Sequence, residues 1–373
     1  MAEKVKAATL VAPKEFELRE YDKPEIGPDD GLLKVEAVGI CGSDVGSYQR
    51  ETPRGDTPKP RVMGHENVGV VAEVGRDAAK SWGVKEGDRI IPEEYVPCWH
   101  CKYCYTGRFR FCNQTDRGYG QILRHGATTA DVWPSIWGGF SEYMYLPSGS
   151  VIHKIDKAVD PHLLALYLPL ANGVQWAVLY GGASRGKTVL IQGPGQMGLS
   201  CAFAAKQAGA DCVIVTGISK DARRLEVARN VGADYTVDIE TEGFRERIDQ
   251  ITGGDGADVV VNVTGGGKGA VEDALAVASK ECTLVLAAAG NAPISMSAGL
   301  GERRRRDITI KTAHGHSYEA VSQSIAYLTS GKFPELMEIS THQFPLAQVR
   351  HALDTAAGVG EPGAIHVTVL PGT

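Results

Sequence analysis

The chain has 373 residues, and 39 lysines and arginines against 45 aspartates and glutamates give a formal net charge of −6. That length is about twice a typical domain, so two domains with sizeable cores are expected. The acidic balance argues against a nucleic-acid partner, which needs a basic surface. The opening "MAEKVKAATLVAPKEFELRE" carries charge where a signal peptide needs an apolar core, and no segment comes near the roughly 20 apolar residues of a membrane span. A soluble, cytoplasmic protein with no membrane partner is expected.

From residue 7 to about 155 the chain is dense in short strand-like runs parted by Gly, Pro and Asp, among them "GLLKVEAVGI", "NVGVVAEVG" and "DRIIPE". A compact β-rich domain follows, with its boundary placed at residue 158. Helical periodicity takes over in "DPHLLALYLPLANGVQWAVLYG". From Lys187 apolar strands alternate with helices: "KTVLIQG", "MGLSCAFAAKQAG", "DCVIVTG", "DARRLEVARNVG", "GADVVVNVTG". This alternation predicts a doubly wound parallel sheet over 159–313 and makes the chain α/β. Residues 314–373, a helix and a mixed tail, are expected to return to the first domain.

Cys98, Cys101, Cys104 and Cys112 lie in a lobe at about 96–114 with C-x2-C-x2-C-x7-C spacing. Stable disulfides are disfavoured in reducing cytosol, so clustered thiols there point to metal. Four thiolates on such short tethers can converge on a tetrahedron around zinc, and a filled four-cysteine site is structural. An iron–sulfur cluster is the alternative.

The first strand–helix joint of the second domain reads "GPGQMG". Gly193 makes the turn, Gly195 lets the backbone approach a pyrophosphate, and Gly198 lets helix and strand pack closely. Gln196 and Met197 open a helix whose free amides face the phosphates. The acidic residue expected about 20 residues on is replaced by Gly217. Two readings follow: Asp221 curls back to the ribose, which favours NAD, or Lys220, Arg223 and Arg224 accept a 2′-phosphate, which favours NADP. Repulsion between carboxylate and phosphate tips the reading towards NAD, while a plain helix cap at Asp221 is the third option.

A dinucleotide implies hydride transfer, so the first domain should supply the substrate's activator. "GICGSD" and "GHENVG" offer Cys41, His65 and Glu66, the ligand types of a catalytic zinc with an open position. Ser43, two residues from the thiol, is placed to accept an alcohol proton.

Together "GICGSD", "GHENVGVVAEVG", "EGDRI", the cysteine lobe, "GGFSEY", "GPGQMG" and "RLEVARNVGAD" resemble the zinc-dependent medium-chain alcohol and polyol dehydrogenases, on the sorbitol-dehydrogenase-like branch, over nearly the whole chain. The resemblance implies a GroES-like catalytic domain, a Rossmann domain, and reversible NAD(P)-linked oxidation of an alcohol, and a secondary alcohol is expected. It implies two zinc ions per chain: a catalytic one on Cys41 and His65, with Glu66 either a third ligand or swinging on and off the metal, and a structural one in the lobe. It also implies that Asp44 orients His65, and that the chain forms a homo-oligomer, a tetramer or dimer. Three positions depart from the family pattern. Leu168 stands where a ligand glutamate is usual, with Asn172 the next polar side chain. Gly46 replaces a relay histidine, and His366 takes the place of a basic residue that meets the cofactor.

Tyr48, Trp133 and Trp137 either line a pocket for a bulky alcohol or pack the domain's own loops. Arg303–Arg306 are expected in a solvated turn, His314 and His316 at the surface or in caps, and Cys201, Cys212 and Cys282 as buried thiols. The rival functions are a zinc-free reductase of the same superfamily and a catalytically weakened dinucleotide-binding redox sensor or structural protein.

Overall fold

A computed structural model describes residues 3–50, 59–116, 122–265, 267–288 and 306–372. Two units divide the chain: Met1–Tyr167, Leu328–Gly331 and Ser340–Thr373 form the first, and Leu168–Tyr327 with Lys332–Ile339 form the second. The division expected at 158/159 therefore falls at 167/168, and residues 314–327 belong to the second unit rather than to the return. The cause is an apolar helical run, Pro161–Tyr180, which gives no turn signal where the units part. At 20 residues this run is also long and apolar enough to cross a membrane, contrary to the sequence reading, but 78% of its apolar window is buried, as in a core helix.

In the first unit the strands are β1 (Lys4–Ala12), β2 (Glu15–Asp22), β3 (Gly31–Gly39), β4 (Arg61–Val62), β5 (Glu66–Val74), β6 (Arg89–Pro92), β7 (Tyr143–Leu146) and β8 (Ile152–Ile155). The run "GLLKVEAVG" exposes only Lys34, because β3 is central and both its faces are covered. It pairs antiparallel with β5 from Gly31↔Val74 to Gly39↔Glu66. That register sets Glu66 at the start of β5 beside the end of β3, one residue after His65.

The second unit holds β9 (Thr188–Gln192), β10 (Cys212–Gly217), β11 (Tyr235–Asp238), β12 (Ala257–Asn262), β13 (Ala278–Leu286) and β14 (Thr309–Thr312). Every pairing is parallel, in the order β11-β10-β9-β12-β13-β14. Helices cover such sheets, which is why "VLIQ" and "VVVN" are unbroken buried runs. The order reverses between β9 and β12, and a crevice opens at the carboxyl ends of strands at such a reversal. Gly193 leaves β9 with φ +107°, and the helix Gln196–Gln207 follows at once. A Cβ on Gly198 would lie 1.8 Å from the Gly193 carbonyl oxygen, so the third glycine is dictated by helix–strand contact.

The chain then returns to the first unit as β15 (Ser340–Pro345) and β16 (His366–Leu370). β16 lies between them, parallel to β15 and antiparallel to β3, with Thr368 opposite Gly39. The resulting sheet runs β15-β16-β3-β5-β6-β8, with β7 also on β3.

Candidate active site and metal centres

The lobe wraps its thiols inward through two single-turn 3-10 helices, Cys104–Thr106 and Phe109–Phe111. The four sulfurs lie within 4.8 Å of one another, with Cys98–Cys104 at 4.0 Å and Cys101–Cys104 at 3.5 Å. A tetrahedral zinc–thiolate cage has sulfur–sulfur edges of about 3.8 Å, so the donor set fits one zinc. A backbone N–H next to Cys101 helps hold that thiol down at about 6, while burial pushes Cys104 up to about 12. Without a cation, therefore, the four thiols cannot all be thiolates at neutral pH.

A second donor set lies in the same unit: Cys41, His65 and Glu66 bring their ligand atoms within 4.8 Å of one another. Cys41 ends the loop after β3 and is the N-cap of the helix Gly42–Gln49. Asp44, one turn in, accepts from the Cys41 backbone N–H at 3.0 Å and faces His65 Nδ1 at 3.3 Å. The remaining imidazole nitrogen, Nε2, is thereby left for a metal. Tyr167 donates its hydroxyl to the His65 carbonyl at 3.2 Å, fixing the backbone of the ligand segment. Glu66 is fully buried, and its Oε1 has no hydrogen-bond partner. A buried orphan carboxylate oxygen needs a cation or a proton.

The electrostatics agree with that need. Burial pushes the Cys41 thiol up and lifts Glu66 to about 8. Burial alone would lower His65, but the Asp44 carboxylate outweighs it and leaves the imidazole raised well above its ordinary value. The cation-free cluster thus keeps two neutral acids beside a protonated imidazole. A divalent ion reverses all three preferences, and its binding releases protons. Ser43 is exposed in the first turn of its helix, and Gly46 faces open space with nothing within 4 Å of an added Cβ.

In the second unit Gly195, with open space at its Cα, precedes Gln196 and Met197 at the helix start; the Met197 sulfur is 3.7 Å from Asn172 Nδ2. Leu168, in the ligand-glutamate position, is buried. Gly217 ends β10 in a tight spot, where a Cβ would stand 2.9 Å from Pro194 Cγ. Asp221 instead turns back on this strand end, accepting from the Ile218 N–H at 3.2 Å and pairing with Arg224 at 3.4 Å. Ser219 binds two more carboxylates, donating its hydroxyl to Asp238 at 2.7 Å and its N–H to Glu240 at 2.9 Å. Arg223 pairs outward with Glu226 at 2.7 Å.

Several sequence expectations change. Trp133 and Trp137 pack edge-on against Tyr145 at 5.4 Å each, and the buried Tyr48 donates its hydroxyl to Asp354, so the loop-packing alternative accounts for Trp137 and Tyr48, while Trp133 remains 62% exposed. His316 is completely buried rather than superficial, while His314 is exposed. Cys201 and Cys282 are buried and Cys212 is partly so. Arg303–Arg305 lie outside the described residues, and Arg306 donates to the Leu275 carbonyl instead of facing solvent. His366, expected at the cofactor, is fully buried with Nε2 3.3 Å from Glu66 Oε2. Two other neighbours of the cluster carry no sequence motif. Arg124 binds Glu94 within the same unit through Nε at 2.9 Å, and the Glu94 carboxylate acts on His65.

The chain matches the alcohol dehydrogenase GroES-like domain over residues 27–157 and the zinc-binding dehydrogenase domain over residues 197–330. It belongs to the zinc-dependent medium-chain dehydrogenase superfamily and is an enzyme, an oxidoreductase. Among its relatives, the "probable alcohol dehydrogenase" of Mycobacterium tuberculosis is 38% identical over 284 residues, 76% of this chain and 75% of that one. The erythritol/L-threitol dehydrogenase of Mycolicibacterium smegmatis is 30% identical over 376 residues, covering 99% and 98%. A zinc-binding dehydrogenase from Sinorhizobium meliloti, solved with NADP, superposes with a TM-score of 0.82 at 26% identity, covering 99% and 100%.

Proposed function

We propose that this enzyme is an NAD-linked, zinc-dependent dehydrogenase of secondary alcohols, with two zinc ions per chain. The observation that carries the reading is the buried Cys41–His65–Glu66 cluster with its partnerless Glu66 Oε1. Bound zinc would supply Lewis-acid polarisation of an alcohol oxygen and bound NAD would accept the hydride. Cys41, His65 and Glu66 hold the metal. Asp44 orients the imidazole, and Leu168 adds no ligand, so three protein ligands leave a position open, as catalytic sites require. The Ser43 hydroxyl takes the alcohol proton and passes it to solvent, which reaches this exposed turn directly; Gly46 leaves no side chain in the way. The four lobe cysteines hold a structural ion.

NADP in the Sinorhizobium structure supports a nicotinamide cofactor here. Gly193, Gly195, Gln196, Met197 and Gly198 cradle its pyrophosphate, and Asp221, Asp238 and Glu240 decide for NAD. Three carboxylates around the end of β10 repel a 2′-phosphate, and Arg223 and Arg224 are already paired with acids. All eight free cysteines suit a reducing cytoplasm, and the superfamily's habit suggests a homo-oligomer. Two zinc equivalents in chelator-free protein, NADH bound more tightly than NADPH, and loss of secondary-alcohol oxidation with retained NADH binding in His65→Ala are expected. One equivalent, confined to the lobe, would refute the catalytic assignment.

A further inference from the structure

Behind Glu66 runs a line of buried polar groups that the reaction as described does not use. Glu66 Oε2 is 3.3 Å from His366 Nε2, His366 Nδ1 is 3.4 Å from Ser340 Oγ, and Ser340 Oγ is 3.0 Å from His162 Nε2. All four residues are buried, and they come from four places in the chain: the start of β5, β16, β15 and the helix Pro161–Leu164. The fold leaves room for this line. A Cβ on Gly39 would stand 2.2 Å from Glu66 Oε2 and 2.6 Å from His366 Nε2, so the carboxylate and imidazole meet only because β3 ends in glycine.

We infer that His162, Ser340 and His366 form a one-directional hydrogen-bond chain that holds Glu66 in its metal-ligating orientation. An ionised carboxylate is acceptor-only, so His366 Nε2 must carry the proton when Glu66 ligates. His366 Nδ1 is then an acceptor, and the one hydroxyl proton of Ser340 serves it. Ser340 Oγ in turn accepts from His162 Nε2–H. One donor–acceptor assignment runs through all three contacts and leaves only the outer His162 Nδ1 without a partner among them. With Oε2 held in this way, Oε1 is the oxygen left for a metal, and it is the oxygen without a hydrogen-bond partner. These are positioning residues: none touches substrate, and each acts through Glu66. The inference rests on Glu66 being a zinc ligand.

The test uses zinc-loaded full-length protein and a chromogenic chelator that counts released zinc against time. The lobe zinc is the internal control, since its ligands lie elsewhere in the unit. Ser340→Ala should speed release of the second zinc by about ten-fold or more, the usual effect of removing an outer partner of a ligand, and leave the lobe zinc unchanged. Ser340→Thr, which restores a hydroxyl, should recover the slow rate. Nitrogen-15 spectra of the loaded wild type should show both His162 and His366 protonated at Nε2. A wild-type release rate in Ser340→Ala, or an Nδ1-protonated His366, overturns the chain alone. A wild type that takes up only one zinc overturns the catalytic reading and the chain with it.

Discussion

Replacing Arg124 by methionine tests how far the site's surroundings depend on one desolvated ion pair. Arg124 and Glu94 are only 12% and 6% exposed, the guanidinium meets a single carboxylate oxygen, and its face lies 4.8 Å from the Tyr95 ring centre. Attraction between such groups offsets a desolvation cost of several kcal/mol per ion. Removing one partner strips the other buried charge of its ion pair, at a cost of about 3–5 kcal/mol. Arg124→Met keeps most of the volume, so the loss is electrostatic rather than a cavity effect. Urea unfolding, followed by fluorescence and scored on the first unit's transition, should show that loss as a lower midpoint with little change in slope. The double variant Glu94→Gln/Arg124→Met should recover much of it, because no unpaired charge remains. A single variant within 1 kcal/mol of wild type, or a double variant worse than the single, would refute the reasoning.

Two further outcomes are expected. Gly195→Ala puts a methyl group into the open space where a pyrophosphate would approach, so it should weaken NADH binding without loss of stability. Gly198→Ala drives a Cβ into the Gly193 carbonyl and should cost both, as NADH fluorescence titration and thermal unfolding would separate. Burial lowers His125 to about 4. A histidine with a depressed folded pKa stabilises fully above its ordinary 6.5, and that stability is lost as pH falls from 6.5 towards 4, by about 3 kcal/mol. Wild-type urea midpoints should therefore fall more steeply over that interval than those of His125→Gln, and parallel curves would sink the claim.

The features legible in the sequence are those whose requirements are local. "TVLIQGPGQMG" carries strand, turn and helix start within 11 residues, and the lobe's donors lie within 15. Cys41, Asp44, His65 and Glu66 were readable because adjacent positions on two short motifs supply the donors. What could not be read depends on pairings that only the folded sheet creates. Glu66 and His366 are 300 positions apart, and the antiparallel registers of β5 and β16 on β3 together bring them into contact. Glu94 and Arg124 lie in stretches of ordinary polar residues, so their pairing left no signal. The aromatic residues read either as pocket or as packing because periodicity cannot say which face of a loop meets the core. The unit boundary at 167/168 lies within the apolar helical stretch Pro161–Tyr180, where no Gly, Asn or Asp marks the turn between its helices.

The place of β16 between β15 and β3 also sets a timetable for synthesis. At a ribosome's pace of about 5–20 residues per second, Thr368 emerges about 20–60 s after Gly39, the residue it faces. Until then the Val38–Gly39 end of β3 lacks the partner that β16 supplies, and an unpaired strand end is a template for pairing with the wrong strand. The parallel sheet of β9 to β14 is translated in full before then. The second unit's sheet is thus fully translated while the unit that holds the Cys41–His65–Glu66 cluster still lacks a strand. One of the last residues delivered, His366, is the one that meets Glu66.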